Sequence, residues 1–179
     1  MKTIPISELE QHTSQTIALQ GWVHTIRDQK QMQFIILRDN TGQAQIINIK
    51  SENPSLAEQI TSLTRESTIT ITGEVIENPQ VRLGAIEIHL HHLTIETAAA
   101  TPLPLDHLSE NEPGIEHRLN WRHLDLRSPK NHLMSKIQTT AEWAMREYWH
   151  QESFIEIHSP KLMGTASESG ARLHHGLPH

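Results

Sequence analysis

Gln33–Lys50 reads QFIILRDNTGQAQIINIK, two apolar runs either side of a polar turn, and this stretch decides the fold. Alternation puts Ile35 and Leu37 on one face of a strand and Met32, Phe34 and Ile36 on the other. Asn40, Thr41 and Gly42 supply turn chemistry, so the stretch predicts a strand–turn–strand hairpin. Upstream, TIALQGWVHTI (Thr16–Ile26) is a third strand, with Gly21 expected to mark a bend or bulge. Downstream, NPSLAEQITSL (Asn53–Leu63) carries Leu56, Ile60 and Leu63 at helical spacing behind an Asn-Pro start. STITITGEVIE (Ser67–Glu77) and GAIEIHLHHL (Gly84–Leu93) alternate again and predict two more strands. The order β-β-β-α-β-β is that of an OB-fold barrel.

Bulk composition limits what such a chain can do. Its 179 residues suffice for one domain and part of another, and 36% hydrophobic with only 4% aromatic content points to a core of Ile and Leu. The absence of cysteine excludes disulfides and thiolate metal sites. No apolar stretch is long enough to span a bilayer, and MKTIPISELEQ lacks the apolar run of a signal peptide, which fits a soluble cytoplasmic protein. The formal net charge is −6, and neither half is a basic arm. Any nucleic acid bound here must be held by stacking and base-edge contacts at a local site rather than by charge alone. Of the 14 histidines, the densest group is His89, His91 and His92. Alternation on a strand puts His89 and His91 on one face and His92 on the other, so no metal site is expected.

Three segments are therefore expected: a barrel over 1–96, a linker over 97–114 and the start of a second domain over 115–179. The linker is recognised by its alanines, two prolines and acidic turn residues. In the second domain a helix begins with Ser128 as N-cap and Pro129 as its first residue. Leu133, Ile137, Ala141, Ala144 and Tyr148 form its apolar stripe, widened by Met134, Met145 and Trp149. FIEIHSPKL (Phe154–Leu162) is expected to be a short strand that buries Phe154, Ile155 and Ile157 and ends at Pro160.

A barrel, a linker, and then a helix leading into FIEIHSPKL resembles the class II aminoacyl-tRNA synthetases that carry an anticodon-binding OB domain. The second block resembles their motif 1. GWVHTIRD (21–28), FIILRDNTGQAQ (34–45), TPLPLD (101–106), WRHLDLRSP (121–129) and PKLMGTASESGA (160–171) resemble, in order, the aspartyl-tRNA synthetase family in its archaeal and eukaryotic form. The asparaginyl and lysyl enzymes share the architecture. The resemblance implies a family reaction that joins aspartate to tRNA at the expense of ATP with Mg2+, and an anticodon loop as partner.

Residue by residue, the resemblance implies anticodon contacts by Arg27, Phe34, Gln45 and Glu87. Pattern alone leaves Phe34 open between a core ring and an exposed stacking ring, and Arg27 and Gln45 open to being solvated strand-end residues. Glu87 is expected to face outward between Ile86 and Ile88, and Trp22 to pack. Ser167 and Glu168 match the mobile loop that closes over the amino acid. Leu133, Ile137, Ala141, Met145 and Pro160 match motif 1 surface through which subunits pair. Motifs 2 and 3 do not follow, and RLHHGLPH departs from the family, as a truncated or frameshifted product would. The expectation is a chain with no catalytic residue, no cofactor and no metal of its own, unable to catalyse alone. A stand-alone tRNA-binding module, a decoy subunit and a product without a role are the alternatives.

Overall fold

The computed structural model describes residues 2–109 and 111–158. It divides into two compact units, Met1–Leu103 and Pro104–His179. The boundary falls inside the stretch expected to be a linker.

The first unit is a five-stranded closed barrel in the order β1-β2-β3-β5-β4. The strands are β1 (Thr16–Asp28), β2 (Met32–Arg38), β3 (Gln43–Ile49), β4 (Thr68–Glu77) and β5 (Ile86–Thr97), with helix α1 (Pro54–Ser62) between β3 and β4. This is the expected OB-fold order. Every seam is antiparallel except β3–β5, which is parallel and joins three residue pairs only. Alternation is the physical origin of the barrel: Leu19, Val23, Ile35, Leu37, Ile46, Ile69, Ile71, Val75 and Ile88 are fully buried in one cluster, joined by Leu56, Ile60 and Leu63.

Strand β1 turns the corner that closes the barrel. Residues 16–22 pair with β4 and residues 22–28 with β2. The bend predicted at Gly21 has a steric cause, because a Cβ there would lie 2.4 Å from the Arg38 carbonyl oxygen. The register shift itself comes between Val23 and Thr25. Trp22 packs as expected: the Arg38 guanidinium lies 5.4 Å from its ring centroid and donates to the Glu66 carboxylate at 2.8 and 3.0 Å.

Two features of this unit escaped the sequence reading. A 3₁₀ helix over Ile6–His12 buries Ile6 and Leu9 against the barrel. Its start is held by the β2–β3 turn, where Asp39 accepts from the Ile6 N–H at 2.8 Å and Thr41 Oγ1 from the Ser7 N–H at 3.0 Å. Under α1, the buried Gln33 amide donates to Ala57 O, Thr61 Oγ1 and Asp28 Oδ2 at 3.1–3.2 Å and accepts from Asn48 at 3.0 Å. A buried amide needs such partners, since an unpaired one costs about 1–3 kcal/mol.

The face assignment of the histidines needs correcting. The β4–β5 register shifts between Thr72 and Gly73, opposite His92 and Leu90, so Leu90 and Leu93 are both buried while His91 and His92 are both exposed. An extra residue in one strand breaks strict alternation. Among the described residues no group of three or more His, Cys, Asp or Glu is placed to hold a metal.

The second unit contains α2 (Ile115–Asn120), α3 (Arg122–Asp125) and α4 (Pro129–Gln151). Its centre is the buried Asp125 carboxylate, which accepts from Arg118 at 2.8 Å and pairs with Arg122. Hydrogen bonds from Arg118 hold that carboxyl below the usual range, despite its burial. Asn131 Nδ2 donates to the Asp125 carbonyl at 2.8 Å, tying α4 to α3. Ser128 caps α4 as predicted, its Oγ accepting from the Asn131 N–H at 3.3 Å, with Pro129 as the first residue.

The expected strand at Phe154–Leu162 is corrected within the described residues. Residues 154–158 are not in a strand, and Phe154, Ile155 and Ile157 are exposed, the two isoleucines by more than four-fifths. A strand needs a neighbouring ladder for its backbone groups, and none pairs with these residues in the described chain. Pro160, Ser167 and Glu168 lie outside the described residues. No described helix is long and apolar enough to cross a membrane.

Candidate nucleic-acid interface

The barrel's outer face gathers the four residues that the sequence singled out. Register explains how. Across β1, β2, β3 and β5, Arg27, Phe34, Ile47 and His89 are successive partners in one cross-strand row. Thr25, Ile36, Gln45 and Glu87 form the adjacent row. All eight lie on the side of the sheet opposite Ile35 and Ile46, which point into the core.

All of the eight but His89 line an open groove of about 800 Å³, Arg27, Phe34, Gln45 and Glu87 among them. Met32, Phe34, Ile36 and Ile47 give it an apolar floor, and Asn78, Gln80 and Arg82 from the β4–β5 connection line it from the other side. Phe34 is half-buried, with the groove beside it. It is a ring on the outer face, not a core phenylalanine.

Arg27 is exposed beside Phe34 and carries five donors on a planar fork. Gln45 is half-buried. Glu87 departs from expectation: it does point away from the core, yet it is only 8% exposed. The groove walls cover it. Its carboxylate accepts from Gln45 Nε2 at 3.4 Å and lies 3.2 Å from His89 Nε2. A solvated surface acid would need neither partner; a covered one does.

The groove therefore offers a flat apolar ring for stacking, a guanidinium, an amide and a carboxylate within two neighbouring rows. Stacking accepts any base, and the polar groups can read base edges. The β4–β5 connection was not foreseen as part of this site, nor His89 as the partner of Glu87. Strand alternation carries the signal for His89, two residues beyond Glu87 on the same face. The position of Gln80 and Arg82 depends on closure of the barrel and leaves no local trace.

Comparison with known proteins places both units. Residues 17–98 match the OB-fold nucleic acid binding domain family, and residues 114–175 match the tRNA synthetases class II (D, K and N). The chain is an OB-fold anticodon-type domain followed by class II tRNA synthetase sequence. The curated proteins it is similar to include aspartate–tRNA ligases. It is 39% identical over 157 residues to the aspartate–tRNA(Asp) ligase of Picrophilus torridus, covering 88% of this chain and 37% of that protein. It is 40% identical over 153 residues to the aspartate–tRNA(Asp/Asn) ligase of Sulfurisphaera tokodaii, covering 86% of this chain and 35% of that protein. The chain thus spans little more than a third of these relatives' length. Among solved structures, asparaginyl-tRNA synthetase from Pyrococcus horikoshii, complexed with asparaginyl-adenylate, is similar at a TM-score of 0.81 and 27% identity, over 96% of this chain and 39% of that one. Aspartyl tRNA synthetase from Entamoeba histolytica shares the fold at a TM-score of 0.78 and 24% identity, over 93% of this chain and 41% of that one.

Proposed function

We propose that the barrel is the anticodon-reading module of an aspartate–tRNA ligase and that the groove around Phe34 receives the unpaired anticodon bases. The observation that carries this reading is the meeting of Arg27, Phe34, Gln45 and Glu87 in one groove from four different strands. Phe34 stacks on a base, Arg27 donates from its fork, Gln45 offers a donor and an acceptor, and Glu87 accepts from base amino or imino groups. The partner is tRNA, met in the cytoplasm where translation runs.

The reaction of such a ligase is activation of aspartate by ATP with Mg2+, followed by transfer to the terminal adenosine of the tRNA. The described residues include no metal-binding cluster. No step of that reaction is assigned to them. The domain limits proposed are barrel 1–96, connection 97–114 and synthetase segment 115–179. Ser167 and Glu168 are proposed to face the amino acid in a complete synthetase. Leu133, Ile137, Ala141 and Met145 of α4, with Pro160, are proposed as surface for pairing with a second subunit; all four helix residues are exposed.

The test is binding of the full chain to an anticodon stem–loop whose triplet ends in U-C. Phe34→Ala is expected to weaken binding by about five- to 150-fold, the worth of one stacked base. Equal affinity for hairpins with unrelated triplets overturns the reading.

A further inference from the structure

Against Glu87, beside the residues that line the groove, stands a histidine that no family resemblance pointed to and that the proposed base contacts do not use. His89 lies two residues beyond Glu87 on β5, on the same face, and its Nε2 is 3.2 Å from Glu87 Oε1. The other carboxylate oxygen, Oε2, accepts from Gln45 Nε2 at 3.4 Å, and Gln45 and Glu87 are direct partners across the parallel β3–β5 seam. The three side chains make one chain of hydrogen bonds, His89 to Glu87 to Gln45.

Chemistry sets its polarity. An ionised carboxylate only accepts, so His89 presents Nε2–H to it and Gln45 must turn its amide nitrogen toward it. The Gln45 carbonyl is thereby left facing away from Glu87 as an acceptor. Without Glu87 in place, the two ends of the amide are interchangeable, and a reader that can flip discriminates poorly. Glu87 in turn is covered by the groove, and a covered carboxylate held by one long contact would reorient. The side chain of His89 is 37% exposed, so it reaches the carboxylate from the solvent side of the row. The parallel seam is the shortest in the barrel, and backbone pairing contributes least order there.

We propose that His89 is a positioning residue: it fixes the Glu87 carboxylate and, through it, the amide orientation with which Gln45 reads a base edge. This rests on the reading of the groove as the anticodon site. His89 touches no base in this scheme; its effect is on discrimination between bases.

The experiment measures binding of the full chain to a stem–loop whose triplet ends in U-C and to hairpins carrying single-base changes in that triplet. His89→Leu is expected to reduce the ratio of the two affinities about tenfold, the scale of one hydrogen bond to a charged group. His89→Gln, whose Nε2–H reaches a similar point, is expected to restore most of the ratio. In a Glu87→Gln background, His89→Leu is expected to add little, because the two act as one unit. If His89→Leu proves poorly folded by circular dichroism, His89→Met, which also lacks an N–H donor, carries the same comparison alone and in the Glu87→Gln background. An unchanged ratio in His89→Leu, or full additivity with Glu87→Gln, overturns the proposal. Phe34→Ala separates the two levels: if it too has no effect, the groove reading has failed; if it weakens binding while His89→Leu leaves the ratio intact, only the positioning role has.

Discussion

Asp39, at the tip of the β2–β3 hairpin, shows how one carboxylate ties two segments together. It accepts from the Ile6 N–H at 2.8 Å, from the Thr41 N–H and hydroxyl at 2.7 Å each, and from the Gly42 N–H at 2.8 Å. Partial burial pushes its pKa up, but the hydrogen bonds from Ile6, Thr41 and Gly42 outweigh this and hold it below the usual carboxylate value. With the folded pKa below the unfolded one, the unfolded chain takes up the proton first as acid is added. The stabilisation is complete above about pH 4 and is lost as pH falls through the folded value. Asp39→Ala leaves three backbone donors without this acceptor and is expected to cost about 1–3 kcal/mol at neutral pH. Urea unfolding should show the gap to wild type narrowing below about pH 4; a gap independent of pH would exclude the charge as its source. The turn was legible from Asn40, Thr41 and Gly42, but the part Asp39 plays in it was not. Its bond to Ile6 leaves no local trace, because thirty-three positions separate them.

The strands are where sequence and structure agree most closely, and their irregularities are where they part. All five strands and α1 were legible, because alternation and the Asn-Pro start act over a few residues. The 3₁₀ helix was not, since seven residues held by another segment's side chains are too few to show a period of their own. Gly21 was legible as a special position, but its reason lies across the sheet. Gly21→Ala would push a methyl against the Arg38 carbonyl at the point where β1 changes partners. The expected cost is about 1–3 kcal/mol, with a lower thermal midpoint. A variant as stable as wild type would show that the corner can open. The α4 cap was fully legible, Ser128 and Pro129 being adjacent, and the expected strand after α4 was not found at 154–158 because apolar content alone does not supply a pairing partner.

At the scale of the whole molecule, charge and apolar surface make opposite demands. The chain carries a net charge of −6, and the cationic arginines lining the groove are Arg27 and Arg82. Hairpin binding should therefore depend weakly on salt. A logarithmic slope no steeper than about −2 is expected, since each neutralised phosphate of a single strand contributes roughly −0.7. A slope beyond about −5 would point to a backbone-binding surface elsewhere. Along α4, Leu133, Ile137, Trp143, Met145 and Tyr148 are each more than half exposed. Such a stripe is expected to self-associate. Sedimentation should show mass rising with concentration, and Ile137→Glu should abolish the rise; a monomer at every concentration removes the pairing surface proposed for this helix.

Near-neighbour order was enough to specify which segments form the five barrel strands, where the hairpin turns and how α4 begins, for these depend on residues within one or two turns of chain. Closure of the barrel decided the rest. It set Arg27, Phe34, Gln45 and Glu87 into two adjacent rows, brought Arg82 to the same groove, covered Glu87 and placed His89 against it. The physical reason is that a groove is assembled from strands far apart in sequence, and its depth and hydrogen bonds exist only once their register is set.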